Sequence, residues 1–139
     1  MATRLVALLA LALAACGGQT ASLSVNDATY RAPLADGGVG VAYFSITSNV
    51  DDRIVSVSSP RAEAVEMHSS TDSNGMALMK KVEFVELPAG EPVAFKPGGL
   101  HLMVIGPHTQ DASATFPIQI QLESGRSETI SFRGADDPS

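Results

Sequence analysis

Apolar residues recur at every second position in several short runs of the chain. Phe116, Ile118, Ile120 and Leu122 alternate with Pro117, Gln119 and Gln121, and Ala42, Phe44 and Ile46 alternate with Val41, Tyr43 and Ser45. Ile130 and Phe132 repeat the pattern near the end. A period of two sends successive side chains to opposite faces of an extended backbone, so each run predicts a strand with one buried face. Turn-forming clusters separate the runs: Asp36-Gly37-Gly38, Asn49 to Asp52, Asn74-Gly75, Pro88-Ala89-Gly90, Pro97-Gly98-Gly99, Gly106-Pro107 and Ser124-Gly125. With no sustained 3.6-residue period and no repeats, these short strands predict an all-β, antiparallel sandwich or barrel with Greek-key connections.

One hairpin can be placed by residue. Asn-Gly favours a two-residue turn, which pairs Ser73 with Met76, Thr71 with Leu78 and Met67 with Val82. One face then carries Val65, Met67, Met76, Leu78, Val82 and Phe84 and is expected to be core. The other carries Glu66, His68 and Ser70 on one strand and Ala77, Met79, Lys81 and Glu83 on its partner. His68 and Met79 become diagonal neighbours, about 7 to 8 Å apart at the backbone. Downstream, His101 and Met103 stand two apart in a strand and share a face, with Leu100, Leu102 and Val104 on the other.

The first residues follow a different rule. Arg4 precedes the apolar stretch Leu5 to Ala15, which is too short to span a bilayer comfortably, so residues 1–15 are expected to be an export signal. Leu13-Ala14-Ala15-Cys16 resembles the lipobox of bacterial lipoproteins, in which cleavage before the cysteine is followed by acylation of its thiol. The alternative is an ordinary signal cut after an Ala-x-Ala-like site, with Cys16 incidental. On the lipoprotein reading, residues 16–22 are a lipidated cysteine and tether, 23–133 the folded domain and 134–139 a polar tail. Membrane attachment would then be through lipid on Cys16 alone, in the bacterial cell envelope or periplasm.

Composition narrows the chemistry. The 139 residues suit one domain, and a net charge of −6 argues against nucleic acid or an anionic membrane surface as partner. Removing Arg4 with the signal makes the exported chain one unit more negative. Cys16 is the only cysteine, so the domain is expected to hold no disulfide and no thiolate ligand. An enzyme is not expected: the sequence has neither G-x-S-x-G nor H-E-x-x-H, and His108, after Gly106-Pro107, is expected to be a loop residue.

His68, Met79, His101 and Met103 are taken together as candidate metal donors. Singly, a methionine is more often core filler and a histidine an incidental surface residue. As a set they have a preference: thioethers carry no charge to offset a hard dication, whereas Cu(I) accepts them readily. A blue-copper centre requires a cysteine thiolate that the domain lacks. The chemistry expected is therefore reversible holding of Cu(I).

The spacing of these four, H-x10-M-x21-H-x-M, resembles the signature of the periplasmic copper chaperones called PCuAC. Glu66-Met67-His68, Gly75-Met76, Leu87-Pro88-Ala89-Gly90 and Pro97 to Met103 are similar to that family's consensus blocks, and the resemblance covers residues 23 to 133. It implies a cupredoxin-like β-sandwich that binds Cu(I) through His68, Met79, His101 and Met103. It further implies delivery of copper to the CuA centre of cytochrome c oxidase subunit II, alongside a Sco-type protein; the chain is expected to be a monomer. Met67 and Met76 are kept as outer or transient contacts. The run Met76-Ala77-Leu78-Met79-Lys80-Lys81 departs from the family's Met-Lys-Met-Arg pattern and leaves fewer spare thioethers, so a second copper site is not expected. Sequestration of copper, or a metal-free structural or adhesive lipoprotein, are the competing roles.

Overall fold

A computed structural model of the chain describes residue 18, residues 20–108 and residues 115–135. The expected export signal, Cys16 and the last four residues of the expected polar tail lie outside them. Ten strands follow in order: β1 (Leu23–Arg31), β2 (Val39–Ser48), β3 (Asp52–Ser58), β4 (Ala62–Ser73), β5 (Met76–Lys81), β6 (Val85–Leu87), β7 (Val93–Phe95), β8 (Leu100–Pro107), β9 (Phe116–Leu122) and β10 (Ser127–Gly134). No helix occurs among the described residues.

Hydrogen bonding runs β5-β4-β8-β7-β2-β1-β10-β9-β3-β6, with β8 also paired to β2. The first six strands form one layer and the last four the other, and inward residues of both make a single core. Alternation decides what enters it. Ala42, Phe44 and Ile46 of β2, Phe116, Ile118, Ile120 and Leu122 of β9, and Ile130 and Phe132 of β10 are all buried. Aromatic rings knit the layers: Phe44 of β2 meets Phe132 of β10 edge-on at 5.5 Å, and Tyr30 of β1 stacks on Phe116 of β9 at 4.3 Å.

The pairing is mainly antiparallel, as expected, with two parallel exceptions. β10 returns beside β1 in the same direction, pairing Thr29 with Arg133 and Tyr30 with Gly134, and β7 meets β8 at Phe95 and Leu100. The first of these joins the two layers. The Ala135 amide donates to the Tyr30 carbonyl at 2.8 Å, so β10 runs on through Gly134. Gly106-Pro107, expected as a turn, instead ends β8, where Pro107 still pairs with Ala62.

The β4–β5 hairpin has the expected register: Ser73 pairs with Met76, Thr71 with Leu78 and Ser70 with Met79. Asn74 and Gly75 have φ of 53° and 77°, the left-handed backbone that both positions of a type I′ turn require. The expected core face is correct only at its base. Val65 and Met67 are buried and Val82 packs against the core, but Met76, Leu78 and Phe84 are exposed. β8 supports β4 only as far as Ser69, which pairs with Leu100. Beyond that point the hairpin projects past the sandwich, and parity no longer implies burial. Phe84 lies instead beneath the Arg53 guanidinium, 4.7 Å from ring centroid to Cζ.

Met67→Ala should therefore cost about 2–5 kcal/mol in urea unfolding, as a cavity in a packed core does. Met76→Ala, on the projecting end, should change stability by no more than about 0.5 kcal/mol. At the start of β3, Asp52 accepts from the Ser124 hydroxyl at 2.6 Å and from the amides of Arg53 and Ser124 at 2.9 and 3.2 Å. Partial burial opposes its charge, but these donors and the Arg126 charge together hold its carboxyl below the ordinary aspartate value of 3.8. A depressed native pKa stabilises the fold above the unfolded value and loses that contribution as pH falls through the native one. Asp52→Asn should accordingly lower the urea midpoint at pH 7, with the difference from the parent shrinking towards pH 3.

Candidate metal centre

The Pro97-Gly98-Gly99 turn delivers the chain into β8, with Gly98 at φ 78° and the Lys96 amide bonded to the Leu100 carbonyl at 2.8 Å. From there alternation sorts the side chains. Leu102 and Val104 enter the core, while His101 and Met103 take the opposite face. β8 lies between β4 and β2, so His101 is directly opposite His68 on β4, and Met103 lies between Glu66 on β4 and Val41 on β2. The two imidazole rings are 5.9 Å apart between centroids, tilted by 31°. Met79 enters from β5, paired with Ser70 and diagonal to the His68–Lys81 pair.

Three of the four candidate donors, Met79, His101 and Met103, line one open cavity of about 380 Å³. Val41, Tyr43, Ser70 and Pro97 help to wall it. His68 adjoins it through its ring contact with His101. Met79 is 63% exposed, whereas His101 is only 5% exposed. Met67 points into the core and Met76 stands at the projecting hairpin end; neither lines the cavity. His108 is exposed, and its amide is tied to the Arg61 carbonyl.

The hydrogen bonds assign each ring a tautomer. His68 Nε2 donates to Glu66 Oε2 at 2.9 Å, and Lys81 Nζ donates to Glu66 Oε1, also at 2.9 Å. These two contacts, the His68 hydrogen bond foremost, hold the Glu66 carboxyl below the usual range. His101 Nδ1 donates to the Gly99 carbonyl at 3.1 Å. In the neutral form of each ring, His68 Nδ1 and His101 Nε2 then carry the lone pairs. His68 Nδ1 is buried and has no hydrogen-bond partner among the described residues. Buried polar atoms are seldom left so, because losing water without a replacement bond costs about 1–3 kcal/mol.

The donor set discriminates among metals. Among the described residues no three His, Cys, Asp or Glu side chains converge as a metal site, so an ion held here needs the thioethers. Two neutral imidazoles and two thioethers suit a soft monovalent ion and offer nothing to balance a hard dication. Glu66 and the Gly99 carbonyl, which fix the rings, received no role from the sequence alone. The signal for Glu66 was present: it stands two residues before His68 in a strand and so shares its face.

An all-β sandwich with this strand arrangement is the fold of PCuAC domains. The copper-bound PCuAC domain from PmoF2 superposes with a TM-score of 0.65 at 18% identity, over 81% of this chain and 91% of that one. Apo-DR1885 from Deinococcus radiodurans gives 0.63 at 25% identity over 99% and 95%, and its Cu(I) form gives 0.60 at 21% over 86% and 78%. The chain belongs to the LpqE-like family, described as "Putative lipoprotein LpqE-like", which it matches over residues 23–133. Among curated proteins, the uncharacterized RP573 of Rickettsia prowazekii is 28% identical over 99 residues, 68% of this chain. The chain spans 55% of that relative's length.

Proposed function

We propose that this protein is an extracytoplasmic Cu(I) chaperone, binding one copper ion through His68, Met79, His101 and Met103. The observation that carries the reading is the buried, unpartnered Nδ1 of His68 directly across the ladder from His101, beside a cavity lined by two thioethers. The copper-bound PmoF2 domain and Cu(I)-DR1885, which share the fold, support it. Copper here is cargo. An open cavity with Met79 exposed favours handover to an acceptor over enclosed storage, because an incoming ligand can reach the metal before the protein's own donors leave. The acceptor proposed is a copper-accepting protein such as the CuA domain of cytochrome c oxidase subunit II, with a Sco-type protein as a further partner. Residues 1–15 act as the export signal and Cys16 carries the lipid that holds the domain at the cell envelope, in keeping with the family's description as lipoproteins.

Anaerobic titration against a competing chelator should give one Cu(I) per chain, with Ag(I) substituting and Zn²⁺ failing to compete. A stoichiometry near zero, or Zn²⁺ displacing Cu(I), would sink the reading. Met79→Leu and Met103→Leu conserve volume and should stay within about 1.5 kcal/mol of the parent in stability while weakening Cu(I) binding. Mixing the Cu(I)-loaded protein with an apo CuA domain, under conditions that form the oxidised centre, should develop the CuA absorption bands; their absence would reject that acceptor.

A further inference from the structure

We propose that Glu66 is a positioning residue for the copper site, its carboxylate holding the His68 ring so that Nδ1 is the atom presented to metal, with Lys81 sharing the same carboxylate. This rests on the copper-binding reading above. Glu66 and His68 lie two apart in β4 and therefore on one face, and Glu66 stands opposite Met103 across the β4–β8 ladder. One carboxylate oxygen accepts a hydrogen bond from His68 Nε2 and the other accepts one from the Lys81 ammonium, each at 2.9 Å. A carboxylate behind a metal-ligating imidazole fixes its tautomer and raises its basicity. The Lys81 charge draws on the same carboxylate, so it moderates that effect. Lys81 also sits two residues after Met79 on β5, so the ion pair ties the strand carrying one thioether to the ring carrying a nitrogen donor.

The arrangement makes two donors interdependent. With Glu66 in place, His68 cannot exchange Nδ1 for Nε2 without breaking a charge-assisted bond. Without it the ring is free to turn, and the buried nitrogen no longer has a fixed direction. The Gly99 carbonyl plays the corresponding part for His101, but as a neutral backbone acceptor it has no second partner to transmit a change.

The test uses ¹⁵N imidazole spectra of the full protein, apo and loaded with ¹⁰⁹Ag(I). In the apo parent, His68 should show a protonated Nε2 and a bare Nδ1; with Ag(I), the silver coupling should appear on Nδ1. Glu66→Ala should give a mixture of tautomers and lower Cu(I) affinity by about 10- to 100-fold. Glu66→Gln, which can still accept the Nε2 proton, should recover the Nε2–H tautomer and most of the affinity. Lys81→Leu should tighten Cu(I) a few-fold in the parent but not in the Glu66→Ala background. Silver coupling on Nε2 of the parent, or unchanged spectra and affinity in Glu66→Ala, would overturn the proposal. So would a Lys81→Leu effect that persists undiminished without Glu66, since that marks direct charge repulsion. Ag(I) bound with no coupling to His68 would instead reject His68 as a ligand, which is a failure of the functional reading.

Discussion

The antiparallel pairing of β4 with β8 is the constraint on which the rest depends. It sets His68 directly opposite His101, and because side chains alternate it must also turn Met67 and Leu102 inward together. A slip of one residue would turn one strand over against the other, sending its histidine into hydrocarbon and its apolar neighbour into water. The buried pair Met67 and Leu102 thus enforces the imidazole pair on the other side. Core packing and site geometry are two faces of one ladder.

That coupling explains why so much of the site was legible in the sequence. Asn74-Gly75 permits one tight turn, and its register fixed Met79 relative to His68 without any knowledge of the sandwich. His101 and Met103 share a face for the same elementary reason. Burial was less legible. Alternation names the face of Met76 and Leu78 but not whether a second layer reaches them, and here β8 stops supporting β4 at Ser69. The parallel pairing of β1 with β10 was hidden too, since it joins strands from opposite ends of the domain and no local pattern marks it.

Backbone and side chain divide the work of orienting the two rings. His101 is held by a carbonyl belonging to the turn that starts its own strand, a partner that comes with the fold and cannot be substituted away. His68 is held by a side chain, and a side chain can be shared, as Glu66 is between ring and ammonium. The better-buried histidine has the invariant partner. The one nearer the projecting end of the hairpin has the adjustable partner.

β5 is the outermost strand of its layer, so one row of its amides and carbonyls pairs with no other strand among the described residues. Such an edge is a template on which another chain can add a strand and grow an aggregate. Six residues long, wholly exposed and ending in Lys80-Lys81, this strand is short and charged enough to make that addition unfavourable. Met79, the thioether proposed to meet a visiting protein, thus stands on the part of the sheet most exposed to unwanted company, and the two lysines beside it act as the guard.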